Sequence, residues 1–118
     1  QPVESRGCGR MKPVSDSLTF AELRAANQAR LPAFGPHGDW TPSDWATATA
    51  GELGEACNFI KKIRRGDQGV TTGDVAKELA DTATYLDFLA WSMGIDLGEA
   101  VRAKFNEVSE RIGYEGRL

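Results

Sequence analysis

The sequence is short of several things. Only two of its 118 residues are cysteine, Cys8 and Cys57, and only one is histidine, His37. Two cysteines make no disulfide framework. No apolar run approaches the ~20 residues of a membrane-spanning helix. Sustained alternation and β-branched clusters are missing, so strand signals are weak. A basic excess is missing too: 14 Lys and Arg stand against 17 Asp and Glu, a net charge of −3. That argues against a generic nucleic-acid binder, which would carry a basic footprint. No repeat of solenoid length appears. No signal-peptide pattern opens the chain, and a cytoplasmic location is the expectation. What remains is 41% hydrophobic and 26% charged residues, an ordinary globular composition. The length suits one domain that buries roughly 65% of its unfolded surface.

Helix signals are strong and punctuated. Residues 1–16 read as a tail, its first ten as appended sequence ahead of Met11, and residues 17–118 as one domain. The first helix starts at Thr19 as N-cap, with Glu22 completing a capping box, and runs to about Leu31 before Pro32. The second opens with Thr41, Pro42 and Asp44 and ends near Arg65 at Gly66. The third runs from Thr71 or Thr72 to Met93, ahead of Gly94. The fourth is capped by Asp96 with Glu99 three residues on, and Gly113 follows its last turn. The expectation is an all-α, four-helix domain. Its second and third helices, joined by a short loop, would be antiparallel neighbours. Amphipathic helices of this length leave broad apolar faces, so self-association as a dimer or tetramer, completing an oligomeric bundle, is expected.

Two acidic motifs recur. Helix two carries Glu52-Leu53-Gly54-Glu55 and helix three carries Glu78-Leu79-Ala80-Asp81. The apolar stripes read as Ala46, Ala50, Leu53, Ala56, Cys57 and Ile60 on one helix and Val75, Leu79, Ala83, Leu86, Ala90 and Met93 on the other. Cys57 is thus expected as a small buried hydrophobe, with a reactive thiol as the alternative. At ~100° per residue, each motif puts its two acids ~100° and ~160° from its leucine, one turn apart on the flank of the stripe. Similar distances from the intervening turn bring the motifs to one level. If the flanks face each other, four carboxylates converge. Such a cluster is electrostatically costly without a counter-charge. Hard divalent ions with oxygen ligands are its natural occupants, and Mg²⁺ typically takes one or two carboxylates plus substrate phosphates. Glu52, Glu55, Glu78 and Asp81 are therefore candidate ligands. The bland account is two solvated faces with incidental acid pairs.

The pattern resembles the MazG-like nucleotide pyrophosphohydrolases of the all-α NTP pyrophosphatase group. That family carries Glu-x-x-Glu on one helix and Glu-x-x-Asp on the next, places filled by Glu52, Glu55, Glu78 and Asp81. Its first motif often has another Glu directly before; Gly51 stands there. Lys104-Phe105 on the following helix is also family-like, and the likeness spans about Phe20 to Gly113. The resemblance implies a Mg²⁺-dependent enzyme, with Mn²⁺ as a possible substitute, that hydrolyses a (d)NTP to the monophosphate and pyrophosphate. Water would attack the α-phosphorus, with Glu52 or Glu55 as the catalytic base. The site could borrow residues from a second subunit.

Other residues bear on this chemistry. Lys62 lies seven residues after Glu55, on nearly the same helical line, and Lys104 and Arg111 flank the stripe of Leu97, Val101, Phe105, Val108 and Ile112. These three are candidates for phosphate binding, against solvated charge at a helix end or ordinary ion pairs. Asn27 and Arg30 share a face with Phe20 and Leu23, and with Trp45 they are candidates for base or sugar contact. A satisfied buried Asn and core packing of Trp40, Trp45 and Trp91 are the plainer accounts. His37 reads as surface, with contact to substrate as the alternative. Two other classes stay open. One is a non-catalytic helical module for nucleotide binding or protein interaction. The other is a DNA-binding domain using the Lys61–Arg65 run, disfavoured by the net charge.

Overall fold

The computed structural model describes residues 17–35 and 37–118; the expected tail, residues 1–16, lies outside them. The described residues form four α-helices: α1 (Phe20–Arg30), α2 (Pro42–Arg64), α3 (Thr72–Ser92) and α4 (Leu97–Ile112). A 3-10 turn, Leu31–Phe34, follows α1. No strand occurs among the described residues, so the fold is all-α. No described helix is long and apolar enough to cross a membrane.

The helix boundaries follow from their caps. Thr19 and Glu22 form a reciprocal capping box at 2.8 and 3.0 Å. Thr41 and Asp44 repeat it at 2.8 and 3.3 Å, with Pro42 at the first helical position. Asp96 accepts from the Glu99 backbone N–H at 3.0 Å. At the end of α3 the Ile95 N–H returns to the Ala90 carbonyl at 2.8 Å. That turn needs the left-handed backbone of Gly94, at φ 70°.

α2 packs chiefly on α3, α1 on α3, and α4 touches α1 and α3 but not α2. The core is aromatic. Trp45 stacks on Phe88 with ring centroids 4.5 Å apart, and Phe88 is followed by Trp91 at 6.1 Å. Trp40 closes on Trp45 at 4.6 Å. Beside it lies a buried polar clamp. The Arg24 Nε donates to both Asp87 oxygens at 3.0 and 3.2 Å, and its Nη2 donates to the Ile95 carbonyl at 2.8 Å. Asn27 Nδ2 donates to Asp87 at 2.9 Å and to the Thr84 carbonyl at 3.3 Å. One carboxylate thus fixes α1 to α3 and, through Arg24, to the turn that starts α4.

The sequence stripes coincide with the buried faces only in part: Ala56 and Ala90 are buried and Val75 is half-buried, but most of the other stripe residues of α2 and α3 are exposed. On α2 the sheltered line runs through Trp45, Thr49, Glu52, Ala56 and Phe59. It is turned by about a quarter of the helix from the expected one. Leu53 is 47% exposed, Ile60 49% and Leu79 49%. Cys57, expected as buried, is exposed. On α4 Val101, Phe105 and Ile112 of the expected stripe are exposed and Leu97 and Val108 half-buried, while Ser109 is buried and Asn106 half-buried. The large Trp45 and Phe88 rings decide the rotation, because burying them removes more apolar surface than burying leucines and alanines.

The clamp should dominate local stability. Truncating Asp87 leaves Arg24 and Asn27 without their shared acceptor, so Asp87→Ala should cost about 3 kcal/mol. Denaturant unfolding should show that loss, whereas Glu107→Ala, in an exposed pair with Lys104, should move stability by under ~0.5 kcal/mol.

Candidate metal centre

The two acidic motifs meet along the α2–α3 contact. Glu52 lies on the sheltered line of α2, and Glu78 lies on the corresponding line of α3 with Thr82 and Tyr85. A carboxylate oxygen from each of Glu52, Glu78 and Asp81 lies within 4.8 Å of the others. Glu52 and Glu78 are half-buried and Asp81 is exposed. The position of each acid follows from its offset along the helix. The first acid of each motif turns into the contact, and the second lies ~60° further round, toward solvent.

The electrostatics of this group is unfavourable. The Glu52 carboxyl is pushed up from its ordinary value, first by its hydrogen bond with Glu78. Burial and the charges of Asp81, Glu78 and Glu55 act in the same direction. A divalent cation would relieve this repulsion, and three oxygen donors suit a hard ion. The residues present could therefore hold a metal ion through Glu52, Glu78 and Asp81.

Of the four expected carboxylates, three are brought together. Glu55 is exposed and stands outside the cluster, reaching Glu52 through its charge alone. The expected phosphate-binding cations lie elsewhere. Lys62 Nζ sits over the Phe59 ring, 5.7 Å from its centroid. Lys104 donates to Glu107 on its own helix at 2.7 Å. Arg111 is exposed on α4, a helix that makes no contact with α2. Asn27 is occupied by the Asp87 clamp, Arg30 lies 4.9 Å from the centroid of the Phe34 ring, and Trp45 is buried under the aromatic stack.

Two features escaped the sequence reading. The Arg24–Asp87 pair links positions 63 residues apart. Its only local signal was an acid among the apolar residues Leu86, Phe88 and Leu89. His37, expected at the surface, is half-buried among rings, 4.6 Å from Trp40 and 5.9 Å from both Trp45 and Phe34. Its neighbourhood of Phe34, Trp40 and Trp45 was the available hint.

Removing one charge from the cluster should stabilise the metal-free protein. The folded state holds the Glu52 proton more tightly than the unfolded chain does. That contribution is fully present below the unfolded carboxylate pKa and is lost as pH rises through the raised folded value. Glu52→Gln should therefore lift the thermal midpoint by a few degrees at neutral pH in chelator. Millimolar Mg²⁺ should raise the wild-type midpoint further, and Glu52→Gln should abolish that rise. Differential scanning fluorimetry reads both.

In comparison with known proteins, the chain matches no family model and no curated protein.

Proposed function

We propose that this protein is a Mg²⁺-dependent nucleoside triphosphate pyrophosphohydrolase of MazG-like type, which splits a (d)NTP into (d)NMP and pyrophosphate in the cytoplasm. The observation that carries the reading is the convergence of Glu52, Glu78 and Asp81 from two separate helices. A cluster that raises the Glu52 carboxyl is a standing electrostatic cost, and cation binding is the chemistry that offsets it. The reading includes an antiparallel α2–α3 hairpin. In its support, Trp45 near the start of α2 meets Phe88 late in α3, while Glu52, further along α2, meets Glu78, earlier in α3.

Bound Mg²⁺ would supply charge neutralisation and alignment of the triphosphate. The chain's own acids divide the remaining work. Glu52, Glu78 and Asp81 are the oxygen donors. Glu55, outside that set and open to solvent, is placed to take a proton. The water oxygen bonds to the α-phosphorus, the bond to the α–β bridging oxygen breaks, and pyrophosphate leaves. The water proton passes to the Glu55 carboxylate. Positioning and charge stabilisation account for most of the rate in such reactions.

One observation favours a second reading, a non-catalytic nucleotide-binding module: Lys104 is engaged with Glu107 rather than with the acid site. Pyrophosphate release separates the two. The purified protein with Mg²⁺ should release pyrophosphate from at least one of the common ribo- or deoxyribonucleoside triphosphates. Asp81→Asn should lower turnover about 100-fold and weaken Mg²⁺ binding. Glu55→Gln should lower turnover by a similar factor, ~10²–10⁴, with Mg²⁺ binding retained. Nucleotide binding without turnover across the panel would select the module.

A further inference from the structure

α4 carries an apolar face that the fold leaves uncovered. Val101, Phe105, Val108 and Ile112 fall within an arc of ~60° around the helix. Three of the four are exposed, Ile112 at 69%. Tyr114 extends the face past the helix end. The left-handed turn at Gly113, φ 77°, returns the Tyr114 N–H to the Ser109 carbonyl at 2.8 Å. With Lys104 these residues line a groove of ≈ 580 Å³. The end of the chain is fastened elsewhere. The Leu118 N–H donates to Asn106 Oδ1 at 2.9 Å, and its carbonyl accepts from Asn106 Nδ2 at 3.4 Å. Asn106 lies ~100° from the nearer edge of the arc.

Two features of the face point to its occupant. The steps from Val101 to Ile112 are four, three and four residues, the spacing of a seam against one other helix. One edge of the seam is basic. Lys104 and Arg111, seven residues apart, lie ~40° and ~60° beyond it, whereas the helix's acids Glu99, Glu107 and Glu110 stand at least ~100° away from the arc. Lys104 holds Glu107 at 2.7 Å, but both side chains are exposed, and such pairs contribute little and exchange readily. Neither cation serves the acid cluster, and α4 makes no contact with α2.

We propose that this groove takes an amphipathic helix of another protein, with apolar residues in the same spacing and a row of Asp or Glu facing Lys104 and Arg111. The seam from Val101 to Ile112 is ~16 Å long, which matches three to four turns of partner helix, about 12–15 residues. A second copy of α4 fits poorly. Antiparallel pairing sets Lys104 of one copy against Arg111 of the other, twice over, and parallel pairing brings neither cation to an acid. Acids on the partner answer both cations, and like charges there reject other helices, so the flank selects the partner while the apolar seam holds it. The proposal is independent of any chemistry at Glu52, Glu78 and Asp81.

Fluorescence anisotropy of the full chain with two labelled helical peptides tests it. The peptides share the apolar spacing and differ only in the flanking row, Glu in one and Lys in the other. The Glu peptide should bind saturably, one per chain, and at least ~10-fold more tightly than the Lys peptide. The chain's net charge of −3 favours the opposite order, so this preference reports the local cations. Lys104→Glu/Arg111→Glu should reverse it. Phe105→Asp should weaken the Glu peptide by about 100-fold, with helical circular dichroism unchanged because the ring is exposed. Leu53→Glu, on α2, should leave binding as it was. Failure of the Glu peptide to saturate, an order of affinities that survives the charge reversal, or tight binding that survives Phe105→Asp would overturn the proposal. So would a fall in the chain's own mass on Phe105→Asp, read by sedimentation, which would give the groove to a second copy.

Discussion

Glu52 lies against Glu78 where α2 packs on α3, and this contact between like charges constrains the region around it. A helix contact made only for stability would place apolar residues there, since half-buried carboxyls cost solvation and repel one another. The chain accepts that cost along the helices that make its most extensive contact. The stabilising interactions sit about two turns away, where Trp45 stacks on Phe88 and Asp87 ties α1 to α3. The acid cluster thus lies beside this packed end of the fold and does not contribute to it. This division of labour is common where a site must be held in an arrangement that its own residues resist.

The rotation of α2 and α3 about their axes links the site to the surface. Turning Glu52 and Glu78 into the contact turns Leu53 and Leu79 out of it by the helical increment. An inward acid and an outward leucine are therefore consequences of one geometric choice. On each helix the second acid, Glu55 or Asp81, lies ~160° from its leucine.

Much of the local structure was legible in the sequence because its causes are local. Thr19, Thr41 and Asp96 mark helix starts by satisfying backbone N–H groups within three residues. Gly94 and Gly113 mark ends because the chain reverses there in a left-handed conformation. The convergence of Glu52, Glu78 and Asp81 was legible as well, since equal spacing on neighbouring helices reproduces equal angles. The buried face was legible only in part, at Ala56 and Ala90. Periodicity placed Leu53 and Cys57 inward, yet both are exposed. A hydrophobic stripe says which side of a helix avoids water, but not which molecule covers it.

The sequence by itself determined four helices, their caps and the two matched acid pairs, because each depends on contacts within a few residues. The tertiary structure alone decided that Trp45 and Phe88 would anchor the core and that Arg24 and Asp87 would bridge distant helices. It also left Glu55 outside the three-acid cluster and the leucine rows in solvent. These outcomes depend on the rotation of whole helices, which is set by competition between large rings and leucines for one contact and has no short-range signature.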